Sequence, residues 1–152
     1  IYTKTDIIPP QYISAEAVVD RSIIGEGGEI HGEVYNSVIG PGVVIKKGSV
    51  VRDSIIMKQS FIGENVTIDK AIIAENVTVG NNVVMGVGED VPNKEKPSVY
   101  SFGLVTIGEN SVIPADVKIG VNTAIVGETT PEDYPDGELA SGETLNKEGE
   151  TA

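Results

Sequence analysis

The 152-residue sequence contains no cysteine and no tryptophan, and its only histidine is His31. The absence of cysteine excludes disulfides and thiolate metal sites, which agrees with a reducing compartment such as the cytoplasm. A zinc site built from three histidines is excluded as well, because one imidazole cannot supply three ligands. We therefore expect neither a disulfide-stabilised fold nor a metal centre in this chain.

Basic residues and long apolar runs are also scarce. The chain has 11 lysines and arginines against 23 acidic residues, a net charge of -12. Nucleic acids and anionic membranes need a basic surface, so neither is an expected partner. No apolar run approaches the roughly 18 to 20 residues that span a bilayer, and no export signal opens the chain. These absences predict a soluble, cytoplasmic protein with a single folded domain.

Aliphatic residues recur through the chain in steps of six, six and five, after which the same series of steps begins again. Neither the helical period of 3.6 nor the strand period of 2 describes this spacing. The repeat predicts coils of three short strands, each strand with one inward aliphatic side chain. The predicted inward residues are Ile39, Ile45, Val51, Ile56, Ile62, Ile68, Ile73, Val79 and Met85, then Ile107, Ile113, Ile119 and Ile125.

Residues that tolerate a positive φ stand three positions after most of these aliphatic residues. They are Gly27, Gly42, Gly48, Asn65, Asn76, Asn82, Asn110, Asp116 and Asn122. Because glycine, asparagine and aspartate enter the left-handed region most readily, we expect a tight corner at each. The five-residue step, as from Val51 to Ile56, lacks such a residue, and we interpret it as a corner shortened by one residue.

These patterns predict an all-β fold: a single-stranded left-handed parallel β-helix, or hexapeptide-repeat prism. Parallel crossovers are normally right-handed, so the left-handed sense is assigned from the similarity to hexapeptide-repeat proteins. We expect the N-terminal residues 1–12 to be an extended connector. Residues 13–126 form the prism, with an inserted loop at 86–105, and residues 127–152 form an acidic tail.

Several segments give the chain a resemblance to one family. Pro9-Pro10-Gln11-Tyr12-Ile13 precedes the repeats, and Asp53-Ser54-Ile55-Ile56-Met57 lies within them. With these segments the chain resembles the C-terminal domain of bacterial glucose-1-phosphate adenylyltransferases, also called ADP-glucose pyrophosphorylases. The resemblance implies an enzyme of glycogen synthesis that makes ADP-glucose and pyrophosphate from ATP and glucose 1-phosphate. Such enzymes are Mg²⁺-dependent tetramers under allosteric control.

The same resemblance assigns catalysis to a separate N-terminal nucleotidyltransferase domain with a glycine-rich phosphate loop. It also implies that residues 1–12 are the connector from that domain, which lies outside this chain. Gly25-Glu26-Gly27-Gly28 does not replace that loop, because its phase in the repeat makes it a prism corner. We therefore expect no catalytic, cofactor-binding or metal-binding residue here, and we assign the Mg²⁺ to the catalytic domain. The expected roles are assembly and regulation, with the catalytic domain and neighbouring subunits of a homotetramer as partners.

Relatives bind anionic effectors partly through basic residues in the loop that interrupts the last coils. Lys94 and Lys96 fall in that loop and are our candidates for contacting a phosphorylated sugar or nucleotide effector. The alternative is that both are ordinary solvated lysines. Lys46 and Lys47, at another corner, are weaker candidates. The arginine-rich loop of some relatives is not present, which leaves the identity of the effector open.

Other function classes stay open on the sequence alone. A hexapeptide acyltransferase has the same prism and works as a trimer, but it needs a histidine general base beside an acyl-CoA cleft. His31 is the only candidate, and its position in the irregular first coil favours an outward structural role. A regulatory paralogue, a sibling sugar-nucleotide transferase and a purely structural repeat protein are further alternatives.

Overall fold

The computed structural model describes residues 12–146, which form twenty β-strands of two to four residues and one 3-10 helix. All strand pairs are parallel, and up to β18 each strand pairs with the strand three places later in the chain. The chain therefore winds into coils with three sides. This confirms the predicted all-β fold, a parallel β-helix of hexapeptide repeats.

The strands follow the chain in order, three to a coil. The first four coils are β1 (Tyr12–Ile13), β2 (Val18–Asp20) and β3 (Ile23–Ile24); β4 (Glu29–Ile30), β5 (Glu33–Tyr35) and β6 (Val38–Ile39); β7 (Val44–Ile45), β8 (Val50–Arg52) and β9 (Ile55–Ile56); β10 (Phe61–Ile62), β11 (Thr67–Asp69) and β12 (Ala71–Ile73). The fifth and sixth coils are β13 (Thr78–Val79), β14 (Val84–Met85) and β15 (Val105–Ile107); β16 (Val112–Ile113), β17 (Lys118–Ile119) and β18 (Thr123–Val126). A seventh coil holds the 3-10 helix (Pro131–Asp133), β19 (Glu138–Leu139) and β20 (Thr144–Asn146).

The three sheets are the three sides of the prism, which we name A, B and C for the first, second and third strand of each coil. On side A, Ile62 pairs in register with Ile45 on one side and Val79 on the other. Every inward aliphatic residue predicted from the repeat is at most 1% exposed. The core is therefore a column of stacked aliphatic side chains, with at least one from each strand from β4 to β18.

The predicted corner residues all adopt the left-handed conformation. Their φ values lie between 54° and 77°, for the glycines, the asparagines and Asp116 alike. Gln59, a residue type that rarely adopts this conformation, holds the equivalent place after Ile56 with φ of 59°. The position in the coil therefore dictates the backbone conformation, even where the residue type does not favour it.

The shortened corner between sides B and C also contains a left-handed residue, which the sequence pattern had not indicated. The residues are Arg21, Asn36, Asp53 and Lys70, with φ between 48° and 53°. At the first three of these corners the next residue is a serine, whose hydrogen bonds offset a conformational cost of roughly 1–2 kcal/mol. The Ser54 hydroxyl donates to the Arg52 carbonyl (2.6 Å) and accepts from the Ala71 N–H (3.0 Å) in the next coil. Ser37 and Ser22 make the same pair of bonds one and two coils earlier.

The irregularity predicted in the early repeats lies between Ile30 and Val34. Val19 pairs with Val34, and Val34 pairs with Val51, so the first of these two coils is shorter than the second. The chain turns this corner with two residues fewer, through His31 and Gly32. A side chain at Gly32 would collide with the Ser49 carbonyl oxygen of the next coil, so only glycine fits this short cut.

Residues 127–146, expected to belong to an acidic tail, complete a seventh coil instead. Leu139 pairs with Ile119 on side B, and Leu145 pairs with Ile125 on side C. The 3-10 helix takes the place of the strand on side A, and the Tyr134 hydroxyl after it lies 2.9 Å from the Thr129 hydroxyl. Burial raises the pKa of Tyr134, so the neutral phenol closes this end of the column. Residues 147–152, and all of the expected connector except Tyr12, lie outside the described residues.

Between Met85 and Val105 the structure assigns no strand, so the inserted loop lies at the corner between sides B and C of the fifth coil. It occupies the position that the Arg21, Asn36, Asp53 and Lys70 corners occupy in earlier coils. Within residues 12–146 no helix has the length and apolar character needed to cross a membrane.

Replacing Ile62 with alanine tests the inward column. Ile62 is fully buried, so Ile62→Ala should lower the free energy of unfolding by about 2–5 kcal/mol in urea melts. Thr78→Ala, on the outward face of the same side, is the matched control and should change it by less than about 0.5 kcal/mol. Equal losses for the two variants would contradict the inward assignment.

Asn65 tests the left-handed corner, because its φ is 56° and its side chain is exposed. Asn65→Val should lower the free energy of unfolding by about 1–2 kcal/mol, since a β-branched residue disfavours this conformation. Asn65→Gly, which keeps the conformation accessible, should stay within about 0.5 kcal/mol of the parent chain. A neutral Asn65→Val in the same urea melts would refute the corner assignment.

Candidate functional site

The inserted loop spans residues 86–104, because Val105 already begins β15. The buried side chain of Asn93 fastens it to the last two coils. The Asn93 amide nitrogen donates to the Asn122 carbonyl (2.9 Å) and to the Thr144 hydroxyl (3.0 Å). Its amide oxygen accepts from the N–H groups of Glu95 (3.0 Å) and Lys96 (2.9 Å). One amide therefore holds the turn 94–96 in place against two different coils.

Asn122 fastens both ends of the same loop. Its amide nitrogen donates to the Asp90 carboxylate (2.7 Å) and to the Val91 carbonyl (2.8 Å), and its amide oxygen accepts from the Gly103 N–H (2.8 Å). The sequence identified Asn122 only as a corner residue, and its φ of 54° agrees with that role. The sequence did not reveal its hydrogen bonds to the loop, because an asparagine at a corner is already explained by its backbone conformation.

The two effector candidates lie in this fastened turn. The Lys94 N–H donates to the Gly142 carbonyl (2.9 Å), and the Lys94 ammonium group pairs with the Glu143 carboxylate of the last coil. Lys96 is exposed, and no ion pair between residues 12 and 146 involves it. The structure thus presents both lysines to solvent from a rigid backbone, with Lys94 already facing an acidic partner.

The other sequence candidates lie elsewhere on the prism. Lys46 and Lys47 follow β7 at the corner between sides A and B, and the Lys46 ammonium lies 5.8 Å from the centre of the Phe61 ring. The structure therefore does not bring Lys46 and Lys47 to the corner that carries the inserted loop.

His31 lies between β4 and β5, at the corner between sides A and B that is two residues shorter than in other coils. Its side chain is about one-third exposed. Its ring packs against Tyr12 with 5.6 Å between the ring centres. The His31 Nε2 atom lies 3.5 Å from the Glu29 carboxylate. The imidazole therefore contacts neighbours on its own side of the prism.

A groove of about 390 Å³ runs between the inserted loop and side B of the last two coils. Its apolar lining includes Val87, Val91 and Leu139, and its charged lining is Glu89, Lys118 and Glu138. With two carboxylates and one ammonium group, the groove offers an anion no net attraction. Nothing in the sequence pattern indicated this groove, because its floor is built by the coil that was expected to be a tail.

The part of the chain that the structure describes contains no group of three or more histidine, aspartate or glutamate side chains that could hold a metal ion. The Mg²⁺ implied by the family resemblance therefore finds no set of carboxylate ligands among these residues.

An apolar ladder runs along the outward face of side C. Ile23, Val38 and Ile55 stack in register and are 69%, 44% and 43% exposed, and Ile72 continues the row half-buried. We call these four residues the side-C ladder. A contiguous apolar row on the surface of an acidic, water-exposed prism is typical of a protein–protein contact.

Replacing Asn93 with alanine tests how the turn is held. Asn93→Ala removes the acceptor of the Glu95 and Lys96 N–H groups, so it should lower the free energy of unfolding by about 1–3 kcal/mol. Amide hydrogen exchange at Glu95 and Lys96 should become faster. Asn81→Ala is the control, because that exposed side chain accepts one bond, from the Glu64 N–H. Unchanged exchange in Asn93→Ala would show that other contacts hold the turn.

Comparison with known proteins agrees with this geometry. Residues 10–107 match the family described as GlmU-like, C-terminal hexapeptide. Two solved structures of the acetyltransferase domain of PglB from Neisseria gonorrhoeae FA1090, one of them with acetyl coenzyme A, superpose with TM-scores of 0.53 and 0.51. They cover 87% and 91% of this chain and 55% of theirs, at 20% and 18% identity. At that identity the likeness shows the fold alone.

Curated relatives carry a more specific similarity. Glucose-1-phosphate adenylyltransferase from Lachnospira eligens is 61% identical over 99% of this chain, which is 36% of that protein. The enzymes of the same name from Acetivibrio thermocellus and Thermotoga neapolitana are 44% and 54% identical over 99% and 93% of this chain, or 35% and 34% of theirs. The chain belongs to the GlmU-like C-terminal hexapeptide family and spans about a third of the length of the glucose-1-phosphate adenylyltransferases that it matches.

Proposed function

We propose that this chain is the assembly and regulatory domain of a glucose-1-phosphate adenylyltransferase. The whole enzyme converts ATP and glucose 1-phosphate into ADP-glucose and pyrophosphate for glycogen synthesis. The observation that carries the proposal is the 61% identity, over 99% of this chain, to a relative with that name. The domain itself contributes no catalytic group, and its roles are to pack against the catalytic domain and to respond to effectors.

The side-C ladder supports the proposed packing. Burying its exposed aliphatic side chains against another protein surface is favourable, at roughly 25 cal/mol per Å² of apolar area. Its most exposed residue, Ile23, lies in the first coil, close to the end of the prism at which the chain enters. The catalytic domain of the full-length enzyme is therefore the proposed partner for this face.

Neighbouring subunits of a homotetramer are the second proposed partner. Among residues 12–146, the outermost strands of the prism each have one paired neighbour in their sheet; they are β1 to β3 at one end and β19 and β20 at the other. Such edges leave backbone N–H and carbonyl groups available for contacts, and proteins commonly cover them. Nucleic acid and membranes are not proposed as partners, because the net charge is -12.

Lys94 and Lys96 are the proposed contacts for a phosphorylated sugar or nucleotide effector. Both side chains are exposed. The Lys96 N–H donates to Asn93 and the Lys94 N–H donates to the Gly142 carbonyl, so two ammonium groups project from one hydrogen-bonded turn. Lysine ammonium groups are well suited to bind phosphate, as compact charges with three hydrogen-bond donors. We place the Mg²⁺ requirement in the catalytic domain, and the enzyme in the cytoplasm.

A hexapeptide acyltransferase is the second candidate, and the similarity to the PglB acetyltransferase domain favours it only at the level of fold. Acyl transfer would require His31 as the general base. Its imidazole is engaged with Tyr12 and Glu29. A regulatory paralogue or a sibling sugar-nucleotide transferase would keep this domain and differ in the rest of the protein.

An assay of the full-length protein tests the proposal. With ATP, glucose 1-phosphate and Mg²⁺ it should form ADP-glucose and pyrophosphate, whereas residues 1–152 alone should form neither. Activity with UTP in place of ATP would assign the protein to a sibling family. Transfer of an acetyl group from acetyl coenzyme A that is lost in His31→Gln would instead establish the acyltransferase.

A further inference from the structure

We propose that Glu143 is a built-in competitor for the effector, because its carboxylate occupies the Lys94 ammonium group that a phosphate must reach. The inference rests on the proposed effector role of Lys94 and Lys96. It adds Glu143, a residue of the last coil that lies outside the loop. An anionic ligand then binds by displacing Glu143 from Lys94.

The two backbones that carry this ion pair are fixed. The Lys94 N–H donates to the Gly142 carbonyl (2.9 Å), directly before Glu143 in the chain. The Glu143 N–H donates to the Ala140 carbonyl (3.1 Å), and the Glu143 carbonyl accepts from the Ala124 N–H (3.3 Å) in the sixth coil. Because these hydrogen bonds join the loop to the coil, they place the carboxylate within reach of Lys94.

The side chains of the pair remain movable. The Lys94 side chain is 70% exposed and the Glu143 side chain is 38% exposed. Solvent screens an ion pair of this kind, and its rupture is a small free-energy change. The pair can therefore open by rotation of two side chains while the hydrogen-bonded backbone keeps its place.

The charge around the turn explains why displacement is needed. Lys94 and Lys96 supply two positive charges, and Glu95 and Glu143 supply two negative ones. While Glu143 is paired with Lys94, the turn therefore offers an anion no net charge. When Glu143 is displaced, two ammonium groups remain with one adjacent carboxylate, that of Glu95. A phosphate monoester carries about -1.5 to -2 charges and three acceptor oxygens, so it replaces a carboxylate more effectively than a monoanion does.

The ligand class that follows is a doubly charged phosphate, such as the phosphate group of a sugar phosphate or a nucleotide. A monocarboxylate has the same charge as the Glu143 side chain and gains little by the exchange. Glu143 therefore sets both a threshold for effector affinity and a preference for phosphate.

Titration of the full chain with inorganic phosphate at low ionic strength, followed by the amide resonances of residues 94–96, tests the mechanism. Glu143→Gln keeps the shape of the side chain and removes its charge, so the dissociation constant for phosphate should fall about two- to five-fold, the range set by an exposed ion pair. Glu138→Gln is the matched control: it changes the net charge equally, from the exposed strand β19 of the same coil. It should change the dissociation constant by less than about 1.5-fold, because Glu138 is not paired with Lys94.

The outcomes separate the two proposals. If phosphate shifts these resonances and Lys96→Gln weakens the binding, but Glu143→Gln binds no more tightly than Glu138→Gln, the competition by Glu143 is refuted while the effector site stands. If phosphate shifts no resonance of the turn in any variant, the effector site and the inference fall together. Thermal melts of each variant confirm that the prism is intact.

Discussion

The structure depends on the registered stacking of inward aliphatic side chains from one coil to the next. Each strand has only two to four residues, too short to be stable alone, and it is held by the strands above and below it. Because Ile45, Ile62 and Val79 stack directly on each other, each coil must bring the chain back to the same position around the axis, one strand spacing further along it. That requirement explains the constant length of the regular coils and the left-handed backbone at the corners, including those with Gln59 or Lys70.

The sequence was sufficient to predict the column and most corners, because both follow from residue type at a fixed spacing. It did not reveal the left-handed conformation at Arg21 or Lys70, where long-range stacking overrides the preference of the residue. It also did not reveal the seventh coil, because Pro131 and Tyr134 replace the strand of side A and interrupt the period. In both cases contacts with a neighbouring coil decide the structure. The spacing of aliphatic residues along the sequence does not reveal those contacts.

The candidate site, too, was only partly predictable from the sequence. The break in the period located the loop, and its lysines were visible in the sequence. The partners that define the site were not: Asn93 bonds to Asn122 and Thr144, and Lys94 pairs with Glu143, 49 residues away. Glu143 stands in a glycine-rich acidic segment that resembles an unfolded tail by composition. Its contact with Lys94 is visible only once the seventh coil places it beside the loop.

The bonds of Asn93 give the inserted loop a second structural place in the fold. They join an insertion in the fifth coil to residues of the sixth and seventh coils, Asn122 and Thr144. The Gly103 N–H adds a bond from the other end of the loop to the Asn122 amide oxygen. The insertion is thereby built into the C-terminal cap of the column and is not an appendage of the fifth coil alone.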